Sequence, residues 1–269
     1  MGQAGAVSSE EVSDATGSAA VAHAFARMAE LCGGRFLDAD GILLYRTVSR
    51  EAIVWNGALL TTAAEDPAPA VARADQFFAA EGCEYGFWVV GKRDAALASY
   101  LQSQGRSRAA DDAHMSVRSA ALTATGRRSA EFKVVSTDAD RRRFVDAATR
   151  SFAGIGVAQS TWSAVYATLD SVCQPDVITV VGGEGGAPCA VAMAYVKDRV
   201  CEVIHVGTVP EARRRGLGAM VTAAVIDEAT TRGARLAVLQ STEMGEGVYR
   251  RLGFREIDRY GIYVRNPSQ

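Results

Sequence analysis

The chain has 269 residues, of which 48% are hydrophobic and 22% charged, a composition typical of a globular protein. Its formal net charge of −2 gives no general attraction to nucleic acid or to an anionic membrane, so we expect neither as a partner. The five cysteines form no CxxC pair and the three histidines lie far apart. We therefore expect no metal site, no disulfide framework and a reducing cytoplasm.

The first half of the sequence alternates between helix and strand patterns. Residues 1–17 are rich in small and acidic side chains and predict a mobile tail without a secretory signal. Residues 18–120 then predict a first domain, with a helix at residues 20–32. The elements that follow it are strands in GILLYRTV and AIVWNGALLTT, a helix in APAVARADQFFAAEG, a strand in YGFWVV, a helix in DAALASYLQSQG and a strand in DDAHMSVR.

The small and polar residues 119–132 predict a break, and residues 131–269 predict a second domain. Asp138 is expected to cap a helix that runs to about Phe152. The other predicted elements are a strand in EFKVVS, a helix in STWSAVYATLD, a hairpin in DVITVVGGEGGAPCAVAMAYV, a strand in RVCEVIHVGTV, a helix ending at Gly233, a strand in ARLAVLQS, a helix in GEGVYRRLGF and a strand in IDRYGIYVRN. The pattern indicates an α/β fold with a mixed, mostly antiparallel sheet flanked by helices.

The two halves resemble each other. LQSQGRSRAADDAHMSVR and YRRLGFREIDRYGIYVR both give a helix end, a glycine and a strand that closes in Val-Arg, at nearly equal spacing. The order of the predicted elements is also similar in the two halves. We infer a divergent internal duplication whose first copy has no RxxGxG segment between its middle strand and helix.

That segment is PEARRRGLGAM, residues 210–220, between a predicted strand and a predicted helix. A helix start offers unpaired N–H groups and partial positive charge, and glycines at 216 and 218 would let an anion approach the backbone. Forked arginine donors at 213–215 suit phosphate oxygens. The pattern is neither a P-loop nor a dinucleotide fingerprint, because the GK[ST] ending is absent and Val221 replaces the third glycine. A solvated basic turn remains the alternative.

VGTVPEARRRGLGA resembles the acetyl-CoA-binding segment of the GNAT acetyltransferase superfamily, whose pattern is R/Q-x-x-G-x-G/A after a strand. VYRRLGF, residues 248–254, is similar to a second signature of that family, a tyrosine ahead of Gly-Phe. The resemblance covers about residues 131–266 and implies the acyl-CoA N-acyltransferase fold. The first half resembles a degenerate copy, which gives two GNAT-like halves.

The resemblance implies acetyl-CoA as co-substrate. The strand end would bulge at Gly207 and pair with pantetheine, and the N–H of Val206 would face the oxyanion. The N–H groups of residues 214–219 would bind the pyrophosphate. The implied coenzyme-binding residues are Val206, Gly207, Thr208, Val209, Arg213, Arg214, Arg215, Gly216, Leu217, Gly218 and Ala219. Tyr249 matches the general acid that protonates the thiol, with simple packing on the sheet as its alternative.

The general base stays open between Glu202, His205 and water. Strand alternation puts Glu202 on one face with Ile204 and Val206, leading to the acetyl position, and His205 on the other unless a bulge intervenes. Pairing of Glu202 with an arginine is the structural alternative. Many relatives have an asparagine where this chain has STEMGEG, so Ser241 is expected either to contact the coenzyme or to cap a helix.

The leading hypothesis is an acetyl-CoA-dependent N-acetyltransferase that acetylates a primary amine of an unidentified small molecule or peptide by direct attack in a ternary complex. The N-terminal half would wall the acceptor cleft or mediate assembly, for example into a homodimer. The alternative is a coenzyme-A-sensing or partner-binding module that has lost catalysis.

Overall fold

The computed structural model describes residues 14–50, 55–91, 93–123, 130–155 and 157–265. In chain order the first half has α1 (Asp14–Leu31), β1 (Arg35–Ala39), β2 (Ile42–Arg46), β3 (Asn56–Leu60), α2 (Ala68–Glu81), β4 (Gly86–Val90), α3 (Ala95–Ser103) and β5 (Arg106–Arg118). The second half has β6 (Glu131–Val134), α4 (Asp138–Phe152), α5 (Gln159–Val165), β7 (Val177–Gly183), β8 (Ala190–Lys197), β9 (Val200–Thr208), α6 (Leu217–Thr231), β10 (Leu236–Ser241), α7 (Glu243–Arg251) and β11 (Arg255–Arg265).

The described strands form one continuous sheet in the order β1-β2-β3-β4-β11-β5-β10-β9-β8-β7-β6. The β3–β4 and β9–β10 pairs are parallel and the other neighbours are antiparallel. This confirms the predicted mixed, mostly antiparallel α/β fold.

The last strand of each half is exchanged with the other half. β5 of the first half pairs with β10, and β11 of the second half pairs with β4. The two exchanged strands also pair with each other, antiparallel, at the centre of the sheet. The predicted break near residue 120 therefore separates two copies in the sequence, whereas the strands of the two copies intermix in space.

The same series of elements occurs twice. β3-α2-β4-α3-β5 in the first half matches β9-α6-β10-α7-β11 in the second. In both series a helix connects two parallel neighbouring strands. The repeated order agrees with the predicted duplication.

Three local predictions differ from the structure. α1 begins at Asp14, so residues 14–17 of the predicted tail are helical, while residues 1–13 lie outside the described part of the chain. β1 was not predicted, because its five residues RFLDA are mostly exposed at the sheet edge and show no buried alternation. The cap of α4 is Thr137, whose hydroxyl accepts from the Asp140 N–H at 3.2 Å, and Asp138 is the first helical residue.

The core is continuous on one face of the sheet and divided on the other. α1, α4 and α5 cover the first face, where a single cluster includes Phe25 of α1, Trp88 of β4 and Tyr195 of β8. On the second face α6 and α7 cover one cluster, while α2 and α3 cover another. Since α1 contacts β1 and β2 as well as β8 and β9, it ties the two halves together.

Candidate functional site

The loop between β9 and α6 contains two residues in the left-handed backbone conformation. Arg214 has φ of 62° and Gly216, the residue before α6, has φ of 81°. A non-glycine residue in this region costs about 1–2 kcal/mol. Such backbone conformations persist where the surrounding structure enforces them and concentrate at functional sites. This turn orients the chain so that the first residues of α6 face out of the loop.

The first turn of α6 is open to an anion. Gly216 offers no capping side chain, and the first backbone bond of the helix joins the Met220 N–H to the Gly216 carbonyl. The N–H groups of Leu217, Gly218 and Ala219 precede that bond, so they have no intrahelical acceptor. A Cβ at Gly216 would meet nothing within 4 Å, and one at Gly218 would meet only the Thr208 Oγ1, at 3.6 Å. The turn therefore combines free donors, helix-dipole charge and open space.

The three predicted phosphate-binding arginines have different surroundings. The Arg213 guanidinium donates to the carbonyls of Thr208, at 3.2 Å, and Ser151, at 3.0 Å. Arg215 forms an ion pair with Glu184 in the turn after β7. Arg214 is exposed and has no ion pair with any described residue. Arg213 thus joins the end of β9 to the end of α4, and Arg214 is the arginine available to a ligand.

Replacing Arg213 should affect stability, whereas replacing Arg214 should affect coenzyme binding. Arg213→Ala should lower the free energy of unfolding by about 1–2 kcal/mol, since two charge-assisted bonds to carbonyls are lost at a partly exposed site. Arg214→Ala should leave thermal unfolding unchanged and weaken acyl-CoA binding about 5–10-fold, with a shallower dependence on salt. Calorimetric titration and thermal melts of both variants test this. Equal behaviour of the two variants would contradict the assignment.

The corresponding turn of the first half is closed to anions. Between β3 and α2 the chain reads TTAAEDP, without a glycine. The Asp66 carboxylate accepts the Ala68 N–H at 3.0 Å, and Glu65 precedes it. A protein carboxylate thus occupies the place where the second half leaves room for a ligand, which explains why the first copy lacks the anion site.

β9 separates from β10 just before this loop. Their pairing ends at Val203 and Leu239, although β9 continues to Thr208. On the other side, β8 pairs Met193 with Ile204 and Val191 with Gly207. Beyond Val203 the backbone of β9 therefore faces a gap between parallel strands, which is the place predicted for pantetheine.

The predicted bulge lies earlier than expected. One residue of β8 faces both His205 and Val206, and His205 has φ of 50°. Gly207 keeps its register, and its conformation leaves room for α4, because a Cβ there would lie 2.7 Å from the Ser151 Cβ. Val209 is buried and its N–H donates to the Cys189 carbonyl at 2.9 Å, while Val206 and Thr208 are half-buried.

This bulge changes which side chains share a face. Glu202 is paired with Tyr195, and Ile204 packs in the same cluster on the α1 and α4 face. The left-handed His205 also lies on that face, whereas Val206 packs with α6 on the other. The expectation that Glu202 and Val206 share a face is wrong, since the extra residue reverses the alternation.

Glu202 is a buried carboxyl group with only 1% of its surface exposed. Neither of its oxygens forms a well-aligned hydrogen bond with a described residue, although the Gln240 side chain lies nearby. Burial raises the pKa of Glu202 well above its usual value, and the nearby Gln240 amide offsets this only in part. Glu202 forms no ion pair with an arginine among the described residues, so that alternative is wrong.

His205 lies in an aromatic cluster built by both halves. Its Nδ1 is 2.8 Å from the Tyr166 hydroxyl, and its ring contacts Trp162 and Trp55, with centroids 5.1 Å and 5.3 Å away. Burial lowers the pKa of His205 to about 3, so the ring is neutral at pH 7. Trp55, just before β3, was missed from the sequence because no local pattern links it to residues of the second half.

Tyr249 lies on α7, on the face opposite Glu202. Its ring is 8% exposed and packs edge-on against Phe254, with centroids 5.7 Å apart. Burial raises the pKa of its phenol, and the Thr222 hydroxyl on α6 lowers it in part. The phenol therefore stays protonated at neutral pH. The Thr222 hydroxyl also donates to the Gly218 carbonyl at 2.8 Å, which connects Tyr249 to the first turn of α6.

Ser241 does not cap α7. The residue before that helix is Thr242, and the Ser241 hydroxyl donates to the Thr242 carbonyl at 2.9 Å. The capping alternative for Ser241 is therefore wrong. Ser241 is 1% exposed at the end of β10, beside the gap between β9 and β10.

An open helix start beside a gap between two parallel strands is the arrangement that the resemblance to acyl-CoA-dependent acyltransferases implies. Residues 144–254 match the family model described as the acetyltransferase (GNAT) family, so the second half carries a GNAT domain. Enzymes of this family use acyl-CoA as co-substrate, and the general activity is acyl transfer. None of the curated proteins matches the sequence.

Solved structures share the whole fold. A GCN5-related N-acetyltransferase from Kribbella flavida is 22% identical with a TM-score of 0.72, over 95% of this chain and 96% of that one. A GCN5-related N-acetyltransferase from Sphaerobacter thermophilus is 13% identical with a TM-score of 0.59, over 93% of each chain. A tandem GNAT protein from the clavulanic acid biosynthesis pathway is 12% identical with a TM-score of 0.58, over 95% and 97%. At these low identities, the similarity shows that the folds are alike and nothing more.

The described residues lack two features. They contain no group of three or more His, Cys, Asp or Glu side chains arranged to hold a metal ion. Of the helices they form, none has the length and apolarity needed to cross a membrane.

Proposed function

We propose that the protein is an acetyl-CoA-dependent N-acetyltransferase that acetylates a primary amine of a small molecule or peptide. The observation that carries the proposal is the open first turn of α6 directly beside the gap between β9 and β10. The N–H groups of residues 214–219 bind the pyrophosphate, and Arg214 adds a full charge. The pantetheine arm lies in the gap, along the backbone of residues 206–209, with Ser241 at its edge.

The two proton transfers are assigned to two residues on opposite faces of the sheet, Glu202 and Tyr249. The uncharged amine attacks the thioester carbonyl from the side of Glu202, which takes the proton that the nitrogen loses. The N–H of Val206 stabilises the oxyanion. The C–S bond then breaks, and Tyr249 gives its proton to the leaving sulfur. Burial of both groups on opposite sides of the gap supports this division of roles.

The first half forms part of the acceptor side. Trp55 packs against His205, and α1 crosses β8 and β9 on the face of Glu202. His205 is neutral and its Nδ1 is engaged by Tyr166, so we assign it a packing role at the bulge and Glu202 the role of base. We also propose the reducing cytoplasm as its compartment, in line with the scattered cysteines of the sequence.

One observation favours the alternative of an acyl-CoA-binding sensor. Glu202 is almost completely covered, so an acceptor reaches it only if neighbouring side chains move. The intact anion site would serve a sensor equally well. The two functions differ in turnover, since a sensor binds the coenzyme without releasing its thiol.

Calorimetry with acetyl-CoA and CoA, followed by thiol release with a panel of amines, tests the proposal. We expect binding of both coenzymes and amine-dependent thiol release from acetyl-CoA. Mass spectrometry of the acceptor should show one added acetyl group. Binding without thiol release for every amine in the panel would identify a sensor instead, and absence of binding would refute both functions.

A further inference from the structure

The strand exchange places His114 of the first half close to Glu202, the proposed base in the second half. His114 on β5 is directly paired with Gln240 on β10. Gln240 lies two residues beyond Val238, the β10 partner of Glu202. His114, Gln240 and Glu202 therefore lie on one face of three adjacent strands. We call these three side chains the buried polar row.

The row is unusual because its polar atoms lack well-aligned partners. His114 is fully buried and Glu202 is 1% exposed. Both ring nitrogens of His114, the Nε2 of Gln240 and both carboxyl oxygens of Glu202 form no well-aligned hydrogen bond with a described residue. A buried polar atom without a partner destabilises the folded state, so native structures contain few such atoms.

The chemical types of these atoms are complementary. A neutral imidazole offers one N–H donor, the Gln240 amide offers both an acceptor and a donor, and the Glu202 carboxylate accepts. A chain running from the His114 N–H to the Gln240 carbonyl oxygen, and from the Gln240 N–H to Glu202, would satisfy each residue. All its donors would point toward the carboxylate, which is the arrangement that stabilises the ionised form.

The first turn of α1 covers the histidine. A Cβ at Gly17 would lie 2.3 Å from the His114 Cε1, so only glycine fits there. The ring also packs edge-on against Tyr260, with centroids 4.9 Å apart, and the Tyr260 hydroxyl donates to the Ser18 Oγ at 3.0 Å. Three elements thus hold the imidazole in place beside Gln240.

Asp112 lies two residues before His114 on the same face of β5, and burial together with the nearby Asp111 raises its carboxyl pKa. Tyr195 on β8 and Tyr260 on β11 are neutral phenols, and burial raises the pKa of both. Burial also keeps the thiol of Cys201, next to Glu202 in the chain, protonated. Asp258, opposite His114 on β11, turns its carboxylate toward Gly91 and the Arg259 N–H.

The charged side chains that are described in the later turns of α1 face elsewhere. Arg27 pairs with Asp176 and Glu30, and His23 lies near Lys197 and Asp176. On α4, which also packs against β9, Asp140 pairs with Lys133. His114 is therefore the group of the first half best placed to act on Glu202.

We propose that His114 is a positioning residue that, through Gln240, orients Glu202 and stabilises its carboxylate, so that the degenerate half completes the base of the other half. This rests on the proposed function, in which Glu202 takes the proton of the amine. The low pKa of His114, about 4 because of burial, agrees with a neutral ring that donates one hydrogen bond at pH 7.

The first test is the pH dependence of kcat/KM for amine acetylation. His114→Phe keeps a ring and removes both nitrogens, so the acid limb should shift upward by about one pH unit. His114→Asn keeps an N–H donor and should restore most of the wild-type profile. In a Glu202→Gln background, His114→Phe should cause no further shift. His23→Phe on α1 is the control, because it removes a half-buried imidazole that lies near Lys197 and Asp176 and not beside Glu202.

The second test needs no activity. The pKa of Glu202 is raised in the folded state, so ionising it opposes folding. Thermal stability of the wild type relative to Glu202→Gln should therefore fall as pH rises above the ordinary glutamate pKa of 4.5, until the folded pKa is passed. Without His114 the carboxylate loses support, so this fall should be larger and extend to higher pH. Gln240→Leu should have the same effect, which provides a second variant if His114→Phe folds poorly.

The outcomes separate the two proposals. Unchanged acid limbs and an unchanged stability difference in both His114→Phe and Gln240→Leu would overturn the role of His114. Full activity of Glu202→Gln would overturn Glu202 as base and with it the positioning role. If no amine is acetylated, the stability difference still decides whether His114 acts on the Glu202 carboxylate.

Discussion

Gly218→Glu should weaken acyl-CoA binding about 100-fold or more without harming the fold. Gly218 is helical, and a Cβ there meets only the Thr208 Oγ1 at an ordinary 3.6 Å. A carboxylate in the first turn of a helix is favourable to the helix dipole, so stability should be unchanged or higher. In the proposed complex it would meet the pyrophosphate, and juxtaposed like charges cost several kcal/mol. Calorimetric titration with acetyl-CoA, together with thermal melts, measures both effects.

Two variants control this experiment. Gly218→Ala adds only a methyl group and should keep most of the affinity, since the family pattern accepts glycine or alanine at this position. Gly247→Glu adds the same charge to an exposed position of α7 and should not affect binding. If Gly218→Glu binds acetyl-CoA as tightly as Gly247→Glu does, the diphosphate is not held by the first turn of α6.

Tyr249→Phe should reduce kcat by about 10²–10⁴-fold while the affinity for acetyl-CoA changes little. The phenol is buried and protonated at neutral pH, beside Thr222 and on the face opposite Glu202. Losing it removes the proposed proton donor to the leaving sulfur but leaves the ring packing on Phe254 in place. Steady-state kinetics with the best amine of the panel, combined with calorimetry, separate the two effects.

Tyr45→Phe is a suitable control for Tyr249→Phe. Tyr45 lies on β2 of the first half, is also fully buried, and its phenol pKa is raised by burial as well. Its replacement should leave kcat unchanged. Equal losses of turnover and coenzyme affinity in Tyr249→Phe would show that Tyr249 supports the site by packing and does not act as an acid.

The arrangement gives the degenerate half a direct part in the site. It has closed its own anion-binding turn with Asp66, yet it contributes Trp55 beside His205 and His114 beside Gln240. Because β5 and β11 are exchanged, this half could not be removed without opening the sheet next to Glu202. The proposed site of the second half therefore gives a structural reason to keep a first half that lacks the open turn.

Local sequence signals predicted the parts of the site that are contiguous in the chain. The strand, the RRRGLG turn and the helix after it depend on neighbours within a few residues, and the left-handed Gly216 and the Gly233 stop, with φ of 81° and 98°, follow from the same local rules. Tyr249 was placed on a short helix because its glycine stop follows at once. The order of elements in the two halves was likewise readable from periodicity.

The sequence by itself therefore determined the fold class, the glycine-rich turn before α6 and the helix that carries Tyr249, since hydrophobic period, glycine and proline act over one or two turns of chain. Only the tertiary structure decided the strand exchange, the bulge at His205, the different roles of the three arginines and the burial of Glu202 beside Gln240 and His114. These features depend on contacts between residues far apart in the chain, where strand pairing and desolvation outweigh local preference.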